Sequence, residues 1–344
     1  MRFNIFMAAA LAVAGAGAAW SQVGDALQRP ALQVKAPAQG VLLAVASAGT
    51  RLVAVGERGL VVLSDDQGRS WRQAPCPVSV GLTMVRFADE RHGVAVGHGG
   101  TVLTTADGGE NWALRLDGRR LASQLQTQAM TPQDRQDAER LVADGPDKPF
   151  LDVIVWDARR LLAVGAYGLA VYSEDAGHTW TPWMSRLPNP KGLHWYVARR
   201  LGEVVVLAGE QGLLARSLDG GARFEPLATP YKGSWFVGDL AEGGRVVLAG
   251  LRGNAWQSDD TGSTWTSLKS PLPATITAMA ADTKGQLWLA SQSGALLRKE
   301  GNALVAVNTP PLPMPAALLP LGEGALLTAG VAGVQVVQTP GGRP

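Results

Sequence analysis

Cysteine is almost missing from this chain. Cys76 is the only one in 344 residues, so no internal disulfide can form. Its expected place is among small buried hydrophobes, with intermolecular pairing the other reading. Histidine is scarce too: His92, His98, His178 and His194 stand apart, at no spacing that suits a metal ion. No Gly-x-Ser-x-Gly elbow and no phosphate-cradling loop occurs, so neither a catalytic serine nor a cofactor is expected. A net charge of +2, without a dense Lys/Arg run interleaved with aromatics, argues against nucleic acid as partner. Long apolar runs are lacking with one exception, Ile5–Ala19, which follows Arg2 and precedes Ala19-Trp20-Ser21. That stretch is shorter than a comfortable membrane span and ends at small residues. Residues 1–21 therefore read as a cleaved secretory signal, a retained anchor being the alternative. No Cys stands at the cleavage site to make a lipoprotein. The expectation is an exported, soluble protein.

What the chain does have is repetition. The octet Ser258–Trp265 reads Ser-Asp-Asp-Thr-Gly-Ser-Thr-Trp, and the pattern Ser/Thr-x-Asp-x-Gly-x-x-Trp/Phe recurs at Ser64–Trp71, Thr105–Trp112, Ser173–Trp180 and Ser217–Phe224. Each copy has a local logic. The carboxylate and hydroxyl can accept backbone N–H bonds inside a tight turn, and glycine supplies a positive φ. The closing aromatic then starts a strand and packs its face on the sheet. Asp66, Asp107, Asp175, Asp219 and Asp260 are thus expected to be structural acids, not catalytic ones.

Spacing gives the size of the unit. From Asp66 to Asp107 is 41 residues, from Asp175 to Asp219 is 44, and from Asp219 to Asp260 is 41 again. The one long interval, 68 residues between Asp107 and Asp175, must hold an insertion. A period near 40 with frequent turn signals suits a four-stranded propeller blade. A second string sets the count at seven: an apolar run ending in a glycine turn at Leu52–Gly59, Gly93–Gly100, Leu161–Gly168, Val204–Gly212, Val246–Gly253, Leu287–Gly294 and Leu326–Gly333. These runs are rich in Val, Leu and Ala instead of alternating, as in a strand buried on both faces.

The fold class expected is all-β: a seven-bladed β-propeller spanning residues 22–344 as a single domain. In its first blade Val41–Ala46 is innermost, then Leu52–Val55, Leu60–Leu63 and Trp71 onward. Blades six and seven lack the octet, with Arg298–Asn302 and Thr339–Gly342 in its place, so their outer edges should be less well pinned. The stretch after Val334 is too short for an outer strand. Ala31–Lys35 is expected to complete blade seven and close the ring, which also hides sheet edges. The insertion, residues 117–149, lies between blades two and three. It reads as a helix over Arg119–Gln128 and a second one begun by Thr131-Pro132 and ended near Ala143 by Asp144-Gly145-Pro146.

The octet is similar to the Asp-box, or bacterial neuraminidase repeat. Sialidases share it, but the Arg-Ile-Pro string those enzymes carry is missing here, and Tyr167, Tyr172, Tyr196 and Tyr231 are the only tyrosines. Xyloglucanase-type hydrolases also carry Asp-boxes, across two propellers in a longer chain. Seven short blades, glycine-ended second strands, Asp-boxes in most blades and a signal peptide together resemble the photosystem II stability/assembly factor family. The run Gly145-Pro-Asp-Lys-Pro-Phe-Leu-Asp152 after a helical insertion resembles its bacterial relatives outside photosynthesis. The resemblance covers nearly the whole mature chain. It implies a periplasmic or lumenal propeller that binds membrane-protein assembly intermediates and catalyses nothing.

Register assigns residues to two rims. Turns between second and third strands carry Arg58, His98, Tyr167, Glu210, Gln211, Arg252 and Gln292. Turns between first and second strands carry a base in six blades, Arg51, Arg91, Arg160, Arg200, Arg245 and Lys284, with Glu323 in the seventh. Solvated loops are the plain explanation for these bases. A ring of cations that meets an acidic protein loop or anionic lipid headgroups is the functional one. Two functions follow: a non-enzymatic, monomeric assembly or stability factor for a membrane-protein complex, touching the membrane at most peripherally, or a glycan-binding or sialidase-like propeller. An open pocket with converging carboxylates and aromatics would favour the second, a plugged channel with basic turns the first.

Overall fold

The computed structural model describes residues 25–128, 132–322 and 324–339. The signal segment, the cap at Thr131 and Glu323 lie outside the described residues. The runs of Val, Leu and Ala form seven antiparallel sheets, six of four strands and one of three. The inner strand of each sheet touches that of the next, and the seventh touches the first, so the ring is closed. This is a seven-bladed propeller. Blade one is Leu42–Ala48, Arg51–Gly56, Val61–Ser64 and Arg72–Gln73.

Second strands such as Leu161–Gly165 and Leu287–Ser291 are buried along their whole length. Each faces a neighbouring blade on either side, and no water reaches it, which is why the alternation expected of a half-buried strand is missing. The glycine at the end of such a run is needed for clearance. A Cβ on Gly56 would stand 2.1 Å from the Val41 carbonyl oxygen, and one on Gly165 would stand 2.2 Å from that of Pro149.

The insertion forms two helices, α1 (Gly118–Gln128) and α2 (Pro132–Asp144), with bounds close to those the sequence predicts. Asp117 caps α1: its Oδ1 accepts the amides of Arg119 and Arg120 at 2.9 Å each. Leu121, Leu125, Ala138 and Leu141 are buried in one cluster with Leu116, Phe150 and Leu169. The helical pair is therefore seated on the seam between blades two and three.

Two expectations fail. Ala31–Lys35 does not complete blade seven, whose sheet stays three-stranded with Gly333–Gln338 at its edge. Those residues lie along blade one. The Ala31 amide bonds the Cys76 carbonyl (3.0 Å), and the Gln73 carboxamide takes the place of a neighbouring strand, accepting from the Val34 amide and donating to the Leu32 carbonyl, each at 2.9 Å. Pro30 and Pro37 flank the segment and cannot donate to a ladder. The N-terminal chain instead runs as a strap. Asp25 pairs with Arg119 of α1, Leu27 lies against Gly99 of blade two, and Ala38 and Gln39 abut Gly333 of blade seven.

The outer edge of blade six is likewise better pinned than its missing octet suggests. Its fourth strand, Ala303–Ala306, pairs at four positions from Leu297↔Ala306 to Glu300↔Ala303, against two in blade one. A tight hairpin with Gly301 at φ 51° sets the register that the octet sets elsewhere.

Candidate functional site

Repeated backbone bonds separate two rims. The amides of Glu57, His98, Ala166, Glu210 and Gln292 each bond a carbonyl just before the inner strand of their own blade, so those turns share one rim. The amides of Gly108, Ala176, Gly220 and Thr261, all in octets, bond carbonyls in the turns between first and second strands, so octets share the other.

On the octet rim the acids are occupied. In all five copies the Ser or Thr hydroxyl donates to the Asp carboxylate at 2.7–2.9 Å and accepts the glycine amide four residues on at 2.7–3.0 Å. The same carboxylate accepts the amide four residues beyond itself, at 2.8–3.0 Å. Bonds from Ser70 hold Asp66 down to about 2. The Arg223 amide lowers Asp219, and Thr264 lowers Asp260. In Asp107 and Asp175 partial burial opposes the shift, and bonds from Asn111 and Thr179 outweigh it. Carboxylates held ionised in this way do not serve as general acids near neutral pH. The indole N–H of Trp71, Trp112 and Trp265 donates to the octet glycine carbonyl at 2.9–3.1 Å, while that of Trp180 is buried with no partner among the described residues.

The bases expected to ring this rim are unequal. Arg51 is tied to Asp65 (2.5 Å) and Glu110 (2.9 Å), Arg160 to Asp157 (2.7 Å), and Arg91 donates to the Ala106 carbonyl. Lys284 is exposed in its turn and Arg245 is half-buried at the head of its strand. Arg200 is not in a turn: it belongs to the inner strand Trp195–Leu201 and lines the central channel.

The opposite rim holds four residues in a backbone state that favours glycine. Arg58, Tyr167, Gln211 and Arg252 have φ of 54–57°, each at the middle of the same three-residue turn. Such a conformation costs each residue roughly 1–2 kcal/mol. All four are exposed, as is His98 in blade two. The Tyr167 ring lies 4.8 Å from that of His194, with Lys148 Nζ 5.1 Å above it. His194 Nδ1 is 3.0 Å from Glu210, and Tyr196 and Phe236 continue the file of rings into the channel.

Among the described residues nothing fills the channel, a cavity of about 720 Å³ walled by the inner strands of all seven blades. Its strongest polar feature escaped the sequence reading. Asp152 is fully buried and accepts Arg86 Nη2 (2.9 Å) on one oxygen and Arg199 Nη1 (2.5 Å) on the other. The amides of Val153 and Ala198 add 2.9 Å bonds, and Arg199 Nε reaches the Gly238 carbonyl at 2.6 Å. One carboxylate thereby joins blades two, three and four and, through Arg199, blade five. Burial would raise the Asp152 pKa, but Arg86 and Arg199 outweigh it and hold it below the ordinary value. Arginine on an inner strand of a crowded channel was the available signal. Burial pushes the neighbouring Asp239 up. Cys76 is buried as expected, and burial pushes its thiol up to about 11. Among the described residues no group of three or more acid, His or Cys side chains could hold a metal ion.

This geometry defines a hairpin-pinned seven-bladed propeller with an arginine-lined channel. The family model "Photosynthesis system II assembly factor YCF48" matches residues 63–299, and the chain belongs to that family. No curated protein matches it. Among solved structures it is similar to "YCF48 bound to D1 peptide", at 17% identity and TM-score 0.63, over 89% of this chain and 94% of that one. YCF48 from Cyanidioschyzon merolae aligns at 15% identity and TM-score 0.63, over 90% and 98%. The GH74 xyloglucanase from Xanthomonas campestris aligns at 13% identity and TM-score 0.62, over 88% of this chain and 52% of that one.

Proposed function

We propose that this protein is a non-enzymatic, exported scaffold that holds a segment of a membrane-protein complex during its assembly. It works as a monomer in the periplasm, or in the thylakoid lumen of a photosynthetic cell, with at most peripheral membrane contact. The observation that carries this reading is how the acids are used. The five octet carboxylates are consumed inside their own hairpins, and Asp152 is held between two guanidinium groups. Exposed side chains of Arg58, Tyr167 and Arg252 are meanwhile held out on one rim by the turn backbone, with His98 exposed on the same rim. That distribution suits gripping a peptide better than cleaving a bond. Family membership and the D1 peptide in a similar YCF48 structure support the same reading.

A glycan-processing role needs two carboxyl groups that differ in protonation across a sugar; Asp239, raised by burial, lines the channel, but Asp152 beside it is fully buried and closed off by Arg86 and Arg199. The likeness to a xyloglucanase is a likeness of fold. In the test, tagged mature protein is cross-linked to membranes of the source cell and captured. An integral membrane protein is expected, with capture weakened when Arg58, Tyr167 and Arg252 are replaced together by Gly. Recovery of no envelope or thylakoid component, or hydrolysis of a glycan by the purified protein, would overturn the proposal. N-terminal sequencing of exported protein should begin at Gln22.

A further inference from the structure

Among the described residues blade seven stops one strand short. It consists of Pro315–Gly322, Ala325–Gly330 and Gly333–Gln338, whereas every other blade has a fourth strand. Among the described residues, no backbone bond reaches Gly333–Gln338 from outside its own sheet. A two-residue turn closes on the pair Gly330↔Gly333. Alternation from that pair turns the N–H and C=O of Val334, Val336 and Gln338 away from the sheet. The strand Gly-Val-Gln-Val-Val-Gln carries no charge, no proline and no bulge, the devices that normally guard an exposed edge.

The walls of this gap are apolar. Val334 packs with the blade-one core, and Val336, 42% exposed, lies over Gly68 of the same blade. On the other side Val337 packs toward blade six. There Leu304 is buried against blade five, so the next residue, Val305, faces blade seven and is left 39% exposed.

The depth of the gap selects its occupant. Paired strands lie about 4.8 Å apart, and the edge of blade seven is set back by one such step from its neighbours' outer strands. A second copy of this chain has the same recessed edge, and the flanking blades would collide before two such edges met. A single extended chain fits. We propose that blade seven is completed in trans by an extended segment of a partner protein, aliphatic at alternate positions, which pairs antiparallel with Val334–Gln338. This site is on the outer seam and goes beyond the assembly-factor reading, which concerns the rim.

A synthetic peptide of residues 302–308 (Asn-Ala-Leu-Val-Ala-Val-Asn), the segment that fills this position in blade six, is the probe. With the full mature chain, millimolar peptide should slow amide exchange over residues 333–339 and nowhere else. Val336→Lys, at a half-exposed site, should melt within a few degrees of the parent yet bind at least about tenfold more weakly. Gln338→Pro, which removes one outward N–H and leaves the side chains on the walls in place, should do the same. No protection of the edge at millimolar peptide, protection elsewhere, or undiminished binding by a folded Val336→Lys protein would each overturn the proposal. So would a concentration-dependent dimer that Val336→Lys abolishes, since a second copy would then be the occupant.

Discussion

The acid at the centre of the ring and the acids at its rim use the same chemistry to different ends. Asp152 and the octet carboxylates all accept backbone amides, and all are held below the ordinary carboxylate range. The bonds of the octet carboxylates reach no further than four residues along the chain, so each acid braces only its own hairpin. Asp152 is bonded to Arg86 and Arg199, 66 and 47 residues away, and holds blades to one another. Local hairpins are cheap in loop entropy and can be copied with the repeat, whereas a cross-blade lock is made once and forms only when the ring has formed.

That contrast is sharpest where the lock is cut. Asp152→Ala leaves two facing guanidinium groups without their counter-ion and should cost about 3–5 kcal/mol in denaturant unfolding. A loss no larger than that of an octet mutant would erase the distinction between centre and rim. Acid should act next. Because folding lowers the Asp152 pKa, the stability it contributes is present above its unfolded value of about 4 and is lost as pH falls through the folded value. Asp66 and Asp89, both near 2 with the His92 amide the chief cause for Asp89, act in the same direction. Thermal melting from pH 6 to pH 2 should therefore fall steeply, and less steeply in Asp152→Asn.

Smaller effects probe the rim. Ser258→Ala removes a buried hydroxyl that serves both Asp260 and the Gly262 amide, and should cost about 1–2 kcal/mol. Among the aromatics the expected outcomes diverge. Both Trp112→Phe and Trp180→Phe lose ring packing, but Trp112→Phe also loses the bond to the Gly109 carbonyl and should cost about 1 kcal/mol more. Phe224 already fills that place in the fourth octet. Equal losses at Trp112 and Trp180 would mean that ring packing alone decides the position.

What the sequence made legible follows the same division. The octets, the seven glycine-ended runs and the helix ends are local signals, and the structure places each where its spacing puts it. The edge of blade six was misjudged because a Gly301 hairpin does by backbone pairing what the octet does with side chains. Ala31–Lys35 was misplaced because its pairing depends on one side chain, Gln73, some forty residues away. The site was read least well. Position along the repeat puts Arg200 in a turn, yet it sits one step back on the strand and lines the channel. The sequence shows Asp152 only as part of a string, since nothing in the spacing of Arg86 and Arg199 reveals that they converge on it.

The strap from Asp25 to Gln39 gives the ring an unequal circumference. Six of its seven junctions follow the chain from one blade into the next, one of them through the helical insertion, but at the junction of blades seven and one no sheet among the described residues contains strands from both ends of the polypeptide. The two ends meet there by docking alone, like the cut in a split washer. Of the seven joints it is the one that no chain segment running from blade to successive blade holds together.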